Sequence, residues 1–206
     1  MIYRLFDIFL LLILIPFLVP IFIVISIYLY FKIGKPIFFI HKRSGYKGIE
    51  FKLYKFRTMA NLNVDQKLKK TDKKSYLKNE RKRVLKATKF LRKTRLDEIP
   101  QLLNVLKNDI SFVGPRPLLI EYNSIYNVQQ KKRLNVKPGI TGWSQINGGN
   151  MITWKKKFEL DIWYVQNKSL YINFKIILLT VKYFLKKLND KNDDEIYLHE
   201  KFNGNN

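Results

Sequence analysis

Residues 8–31 form a long apolar run that constrains the fold of this chain more than any other feature. The run reads "IFLLLILIPFLVPIFIVISIYLYF" and contains no charged side chain over 24 positions. A helix of that length measures about 36 Å, which exceeds the roughly 30 Å hydrocarbon core of a bilayer. A secretory signal has a shorter apolar region and a small-residue cleavage site, and this run has neither. The run therefore predicts a membrane segment.

Two prolines leave two paths through the membrane open. Pro16 and Pro20 lie one turn apart, and each lacks the N–H that an interior helical residue donates. The backbone acceptors released near the bilayer centre need other partners, so the segment either spans with a kink or returns to the same face as a re-entrant hairpin. Sequence physics alone favours the span. Arg4 precedes the segment and many Lys and Arg residues follow it, so the bulk of the chain is expected on the cytoplasmic side.

Composition limits the chemistry that the rest of the chain can perform. The 206 residues include no cysteine and only two histidines, His41 and His199. This excludes disulfides, cysteine-ligated zinc, iron–sulfur clusters and thiol catalysis, and it leaves acid–base work to carboxylates. The 39 Lys and Arg residues exceed the 16 acids and give a net charge of +23, which indicates an anionic partner. Nucleic acid, an anionic membrane surface and a phosphorylated substrate all meet that requirement.

Hydrophobic periodicity predicts a mainly helical chain with one pair of long strands. Residues 36–59 contain two strand-like stretches on either side of a glycine-containing turn at 44–48, the pattern of a β-hairpin. A short strand and then a rigid turn are predicted within "ISFVGPRPLL", and the glycine-rich stretch 137–150 is predicted to be a loop. Helices are predicted over residues 76–93, 99–107, 121–135, 153–166 and 170–188.

The stretch "TRLDEIPQ" places Asp97 and Glu98 side by side just after a strongly basic region. One interpretation is structural: the acids cap the helix predicted over 99–107 and interact favourably with its dipole. The other is chemical: an ionised Asp attacks phosphorus to form an acyl phosphate, provided that Mg²⁺ and Arg or Lys neutralise the two anions. Arg92 lies five residues before Asp97, and Arg116 stands between two prolines in "GPRP", a rigid display that suits phosphate recognition. Position alone leaves both interpretations open.

Longer motifs resemble one known family. They are "KLYKFRTM", "LRKTRLDEIPQLLNVLKNDISFVGPRPLL" and "VKPGITGWSQINGGN" with "WKKKFELDIWYV" after it. Together they resemble the bacterial sugar transferases, the monotopic phosphoglycosyl transferases that initiate glycoconjugate assembly. The similarity covers roughly residues 1–188. The size, with no extra N-terminal membrane helices, and the ending "EKFNGNN" look most like the small PglC type.

The resemblance implies an activity. The family moves a phospho-sugar from a UDP-sugar to undecaprenyl phosphate and releases UMP, by a ping-pong mechanism that uses Mg²⁺. The nucleophile of its Asp–Glu pair corresponds to Asp97, and Glu98 helps the pair to hold the metal. The residues expected to bind substrate or phosphate are Arg92, Arg116, Lys55, Arg57, Thr141 and Gln145. The expected sugar is N-acetylated or diacetamido.

The resemblance also implies a fold and a location. The N-terminal segment of the family is a re-entrant helix broken at a Ser-Pro, which corresponds to Val19 and Pro20 here, and this reverses the preference for a span. The expected fold is mainly α with a small β-hairpin, its re-entrant helix packed on a catalytic domain partly embedded in one leaflet. Its expected parts are a helix–break–helix over 1–34, a phosphoglycosyl transferase domain over 35–188 and a polar tail over 189–206. The expected location is the cytoplasmic face of the bacterial inner membrane, with anionic lipids as partners and no nucleic acid.

Departures from the family pattern leave the acidic pair intact. Gly149 stands where the family commonly has Arg in "NGRN", Arg95 replaces the usual Ser or Thr, and the basic insert 60–86 is longer than in the PglC type. These departures bear on the sugar and on membrane contacts rather than on the type of reaction.

The alternative to an enzyme is a membrane-anchored nucleic-acid-binding or scaffold protein, suggested by the net charge and the basic run 67–95. The sequence contains no recognisable nucleic-acid-binding fold to support it.

Overall fold

The computed structural model describes residues 1–60, 85–189 and 202–204, except for the side chains of 187–189. Most of the basic insert 60–86, the first part of the helix predicted over 76–93 and most of the tail 189–206 lie outside the described residues.

The apolar N-terminal run forms one long helix, α1 (Ile2–Ile33). Only 11% of its most apolar window is buried, so most of the helix presents apolar side chains outward; by length and composition it is able to cross a membrane. Pro16 and Pro20 both lie inside this helix. Each proline removes one N–H donor from the helix, so these two positions are where α1 is able to bend, and the helix–break–helix expected over 1–34 stays a prediction.

The N-terminal end of α1 is bonded to the rest of the protein. Asp7 is buried, and its carboxylate accepts hydrogen bonds from Ser111 Oγ at 2.6 Å and from the Phe112 backbone N–H at 3.0 Å. The Arg4 guanidinium donates to the carbonyl oxygen of Val105 at 2.5 Å. A buried carboxylate is costly unless it has partners, so these contacts favour one position for this end of the helix.

The C-terminal end of α1 is bonded to the same domain. Arg57 Nη2 donates to the carbonyl oxygens of Ile33 at 2.7 Å and Gly34 at 2.9 Å, acceptors that the end of a helix leaves without an internal partner. The Tyr28 hydroxyl donates to the carbonyl oxygen of Ala87 at 2.8 Å. One domain therefore holds both ends of a 32-residue helix.

The predicted β-hairpin is confirmed. Strand β1 (Phe38–Ser44) pairs antiparallel with β2 (Glu50–Phe56), with Phe38 opposite Phe56 and Ser44 opposite Glu50. Side chains alternate between the two faces of a strand, and Phe51 and Leu53 lie on the face of β2 that is buried in the core.

A second, shorter sheet corrects one prediction. Strand β3 (Ser111–Val113) pairs in parallel with β4 (Gly139–Thr141), so part of the stretch 137–150 is a strand rather than a loop. A Cβ atom added to Gly139 would lie 2.1 Å from the backbone nitrogen of Gly114. The glycines that suggest a loop instead allow two backbones to approach closely.

The structure confirms two of the predicted helices and corrects a third. The helices after α1 are α2 (Lys89–Lys93), α3 (Leu102–Leu106), α4 (Val128–Lys131), α5 (Trp143–Ile146), α6 (Trp154–Asn167) and α7 (Leu170–Asn189). The last two match the helices predicted over 153–166 and 170–188. The stretch 121–135 is not one helix. A 3₁₀ turn comes first, and Asn127 then forms a capping box with Gln130 and begins a separate helix, α4.

Three hydrophobic clusters join these elements. In the first, Leu11 of α1 packs with residues of β2, β3 and α7: Leu53, Val113 and Ile176. In the second, Ile25 and Leu29 of α1 pack with Phe56 and Leu91. The third, called the aromatic cluster below, consists of Tyr122, Tyr126, Phe158 and Phe202, with Trp154 packed against it. Because α1 contributes to two of the three clusters, it is part of the protein core as well as an apolar surface.

Candidate active site

A cavity of about 1860 Å³ is lined by residues of the hairpin, the "GPRP" turn, α6 and the turn that carries the acidic pair. Small-molecule sites commonly measure roughly 300–1,000 Å³, so this cavity has room for a large substrate or for two substrates. Leu14 and Leu18 of α1 give it an apolar side. All the residues expected to carry function line it: Lys55, Arg57, Arg92, Asp97, Glu98, Arg116, Thr141 and Gln145.

Asp97 and Glu98 lie in the first turn of a 3₁₀ helix, Leu96–Gln101, which leads directly into α3. The residue at its N-cap is Arg95, which adopts a left-handed backbone conformation with φ 57°. No side chain forms a capping hydrogen bond there, so the interpretation of Asp97 as a helix cap is wrong. The chain turns at Arg95 instead, and both acids, each 8% exposed, line the cavity.

Glu98 is held by three cations. Its Oε1 atom accepts from Lys55 Nζ at 2.6 Å, from Arg116 Nη2 at 3.2 Å and from Arg95 Nη1 at 3.4 Å. Burial is the largest single influence and opposes the charged form, but the three cations together outweigh it and hold the pKa of the Glu98 carboxyl well below its ordinary value. Glu98 is therefore ionised and fixed in position.

Asp97 has a different environment from its neighbour. Its Oδ1 atom is buried and has no hydrogen-bond partner among the described residues. Burial, and then the charge of Glu98, raise the pKa of the Asp97 carboxyl, while Lys55 and Arg92 act in the opposite direction. A buried polar atom without a partner is rare and costly in proteins, so this oxygen is suited to bind or attack something that enters the cavity.

The metal expected from the resemblance is compatible with these two acids. No group of three or more His, Cys, Asp or Glu side chains that could hold a metal occurs in the described part of the chain. Mg²⁺ is commonly bound by one or two carboxylates together with substrate phosphates and water, so an all-protein cage is not needed. The unpartnered oxygen of Asp97 and the ionised Glu98 beside it supply such a pair.

The remaining predicted residues have mixed roles. Arg57 lines the cavity, but its guanidinium also caps the C-terminal end of α1. Thr141 Oγ1 shares a hydrogen bond of 2.8 Å with Thr180 Oγ1 on α7. Gln145 donates to the carbonyl oxygen of Ile140, and its own Oε1 atom is buried without a partner in the described structure.

Gly149, which stands where the family commonly has Arg, lies at the cavity wall with φ 52°, and a Cβ added there would meet open space.

A buried ion pair supports the "GPRP" turn from behind. Arg133 Nη2 donates to Asp161 Oδ2 at 2.9 Å and to the carbonyl oxygen of Arg116 at 2.7 Å. Ser144 Oγ donates to the other carboxylate oxygen of Asp161 at 2.7 Å. Sequence reasoning missed this pair. The available signal was the spacing of Asp161, three residues after Phe158, which puts an acid on the buried face of a helix.

Comparisons with known proteins agree on one family. The family model described as bacterial sugar transferase matches residues 1–187. The uncharacterized sugar transferase EpsL of Bacillus subtilis (strain 168) is 52% identical over 151 residues, which are 73% of this chain and 71% of that protein. The undecaprenyl-phosphate galactose phosphotransferase of Salmonella typhimurium is 37% identical over 177 residues, 79% of this chain and 37% of that protein. A UDP-glucose:undecaprenyl-phosphate glucose-1-phosphate transferase of Klebsiella pneumoniae is 40% identical over 161 residues, 74% of this chain and 33% of that protein. The chain thus spans about a third of the length of the last two relatives.

Proposed function

Because this chain belongs to the bacterial sugar transferase family, it is an enzyme of that class, and we propose that it transfers a sugar 1-phosphate from a UDP-sugar to undecaprenyl phosphate. UMP is released, and the undecaprenyl diphosphate sugar that forms initiates the assembly of a glycan or glycoconjugate. The observation that carries this proposal is the unpartnered oxygen of Asp97, buried in a cavity whose lining also includes the cations Lys55, Arg92 and Arg116.

The proposed reaction has two displacements at one phosphorus atom. An Asp97 carboxylate oxygen attacks the phosphorus that carries the sugar, the bond from that phosphorus to the bridging oxygen breaks, and UMP leaves with that oxygen. A phosphate oxygen of undecaprenyl phosphate then attacks the same phosphorus and breaks its bond to Asp97, which regenerates the carboxylate. The anions repel one another, and Lys55, Arg92 and Arg116 are the cations that offset this repulsion.

Mg²⁺ is part of the proposal, with Asp97 and Glu98 as its protein ligands. When bound, the ion neutralises phosphate charge that the side-chain cations leave uncompensated. We expect EDTA to stop the reaction and excess Mg²⁺ to restore it. Full activity in the presence of chelator would exclude this role.

The proposed membrane path is re-entrant, with the catalytic domain on the cytoplasmic face and its basic surface near anionic lipids. Hydrogen bonds join both ends of α1 to one domain, whereas a helix that spans the bilayer carries its ends to opposite faces, roughly 30 Å apart. We therefore expect cysteines introduced at Tyr3 and Lys35 to be labelled from the cytoplasmic side. Labelling of the two positions from opposite sides would show a true span.

The experiment that tests the function measures UMP release. Detergent-solubilised protein is incubated with undecaprenyl phosphate, Mg²⁺ and a panel of UDP-sugars, and we expect an N-acetylated or diacetamido sugar to give the fastest release. Asp97→Asn should abolish both turnover and the trapped phospho-sugar adduct, whereas Glu159→Gln, which changes an exposed acid on α6, should leave both intact. The absence of UMP with every sugar in the panel would refute the proposal.

A further inference from the structure

Not every cation at the cavity has a counter-ion within the described part of the chain. Arg43 of β1 and Lys157 of α6 both line the cavity, and neither forms an ion pair with a carboxylate among the described residues. The Nε atom of Arg43 is buried and has no hydrogen-bond partner in the described structure. The ammonium of Lys157 lies 4.5 Å above the ring of Trp154, a contact that leaves its positive charge uncompensated.

Each of these cations has a paired neighbour that faces away from the cavity. Lys42, beside Arg43, is exposed and bridges Glu50 at 2.8 Å. Lys156, beside Lys157, is exposed and bridges Glu159 at 3.1 Å. Two separate elements thus present a neutralised cation to solvent and an unneutralised one to the cavity.

Arg116 is a charged neighbour of both Arg43 and Lys157. Burial, and then the proximity of Arg116, lower the pKa of Arg43 to about 10 and that of Lys157 to about 8. Arg116 already shares the carboxylate of Glu98 with Lys55 and Arg95, so the charge of Glu98 is neutralised before it can offset Arg43 or Lys157. Three cations that share one cavity with too few acids are stabilised when an anion enters.

The position of these residues indicates which substrate supplies the anion. Trp154, under Lys157, packs on the aromatic cluster, and Tyr122 of that cluster is among the neighbours that influence Arg43. Helix α1 contributes to the other two hydrophobic clusters and gives the cavity its apolar side through Leu14 and Leu18. A lipid acceptor is expected on the side of α1, so the aromatic side is left for a water-soluble substrate.

We propose that Arg43 and Lys157, together with Arg116, bind the diphosphate of the nucleotide substrate. This assignment rests on the proposed function and deepens it by naming two further substrate-binding residues. It also gives the cations different roles, because Lys55 and Arg95 hold Glu98, whereas Arg43 and Lys157 bind the ligand.

The test compares Arg43→Gln and Lys157→Gln with the matched controls Lys42→Gln and Lys156→Gln. Calorimetric titration with UDP in the presence of Mg²⁺ measures binding without turnover. Because a hydrogen bond to a charged group contributes about 1.5–3 kcal/mol, each cavity variant should raise the dissociation constant for UDP roughly tenfold or more. The controls should bind UDP like the wild type. Arg43→Lys and Lys157→Arg, which keep the charge, should recover part of the affinity.

Kinetics distinguish the two possible phosphate sources. We expect the cavity variants to raise the KM for the UDP-sugar in UMP release and to leave the KM for undecaprenyl phosphate unchanged. A raised KM for undecaprenyl phosphate alone, or UDP affinity equal to that of the wild type in folded variants, would overturn the assignment. A wild-type protein that neither binds UDP nor releases UMP would instead refute the function itself, so the two failures are distinguishable. A melting curve for each variant confirms that it is folded.

Discussion

Asp97 and Glu98 are adjacent in the chain, and their surroundings differ sharply. Glu98 shares one oxygen among three cations, whereas Asp97 keeps a buried oxygen without a partner in the described structure. The left-handed backbone at Arg95 turns both acids toward the cavity, and the side chain of Arg95 then helps to hold one of them. Glu98 therefore supplies a charge that is fixed in position, whereas Asp97 supplies an oxygen that is available to a ligand.

This difference predicts that two similar substitutions affect stability differently. Asp97→Asn removes a charge that burial disfavours, so we expect an unchanged or higher melting temperature together with loss of the phospho-sugar adduct. Glu98→Gln removes the buried carboxylate that Lys55, Arg95 and Arg116 share, and breaking a buried ion pair costs about 3 kcal/mol, so its melting temperature should fall. Differential scanning calorimetry measures both. Equal changes in melting temperature for the two variants would contradict this difference between Asp97 and Glu98.

Lys157 predicts a pH dependence of nucleotide binding. Its pKa, lowered by burial and then by Arg116 to about 8, means that it is protonated at pH 7 and loses its charge as pH rises above 8. The other charged neighbour is Asp161, which Arg133 already neutralises. The affinity for UDP should therefore fall between pH 7 and pH 9, a range in which the phosphates of UDP stay ionised.

The control for this pH dependence is Lys157→Arg. An Arg side chain keeps its charge over the whole range, so the affinity of this variant for UDP should vary less with pH than that of the wild type. Calorimetric titrations at several pH values measure both proteins. A wild-type affinity that is constant from pH 7 to pH 9 would contradict the prediction.

At the scale of elements, α1 depends on a polar contact near its N-terminal end. Asp7 accepts from Ser111 Oγ and from the backbone N–H of Phe112, and both donors belong to β3. Asp7→Ala leaves the buried N–H of Phe112 without a partner, which should cost about 1–3 kcal/mol. Ser111→Ala removes one bond and keeps the other, so it should cost less. Thermal unfolding in detergent measures both variants, and equal losses would contradict this account.

Local patterns predicted some elements of this fold and missed others. The β-hairpin and the helices α6 and α7 follow from side-chain periodicity, which depends only on neighbouring residues. The parallel pairing of β3 with β4 joins segments more than twenty residues apart, and the same glycines that permit it also read as a loop. The buried contact between Asp161 and Arg133 is also non-local, since 28 residues separate its members.

At the scale of the whole molecule, the described residues 202–204 bring the C-terminal segment back to the cavity wall. Phe202 is 3% exposed, and its ring lies 5.0 Å from that of Phe158 and 5.6 Å from that of Trp154. Both partners also line the cavity. The aromatic cluster thus connects residues near the C-terminus to the aromatic side of the cavity, where we propose that the nucleotide binds.

Phe202→Ala should therefore weaken both stability and nucleotide binding. Loss of a buried aromatic ring commonly costs about 3–5 kcal/mol, and Phe202→Leu, which keeps much of the volume, should cost less. The melting temperature and the KM for the UDP-sugar measure the two effects. A Phe202→Ala protein with wild-type stability would show that the C-terminal contact is dispensable.

Family motifs name candidate residues of the site, but they do not give the geometry that joins those residues. All the residues expected from the family motifs line one cavity, because motif residues of distant segments are brought together by the fold. Their electrostatic differences depend on burial and on distances between segments, which no motif contains. Arg43 illustrates the limit, since only the structure shows that its neighbour Lys42 has a counter-ion and that Arg43 has none among the described residues.

The two bonded ends of α1 have a consequence for the order of events during synthesis. The partners of α1 follow it in the chain by between 24 and 165 residues, from Arg57 to Lys168. A ribosome therefore delivers this apolar helix, with Arg4 and Asp7 still lacking their partners, well before the segments that satisfy them. The bonds that fix α1 therefore form only after the segments that carry their partners have been synthesised.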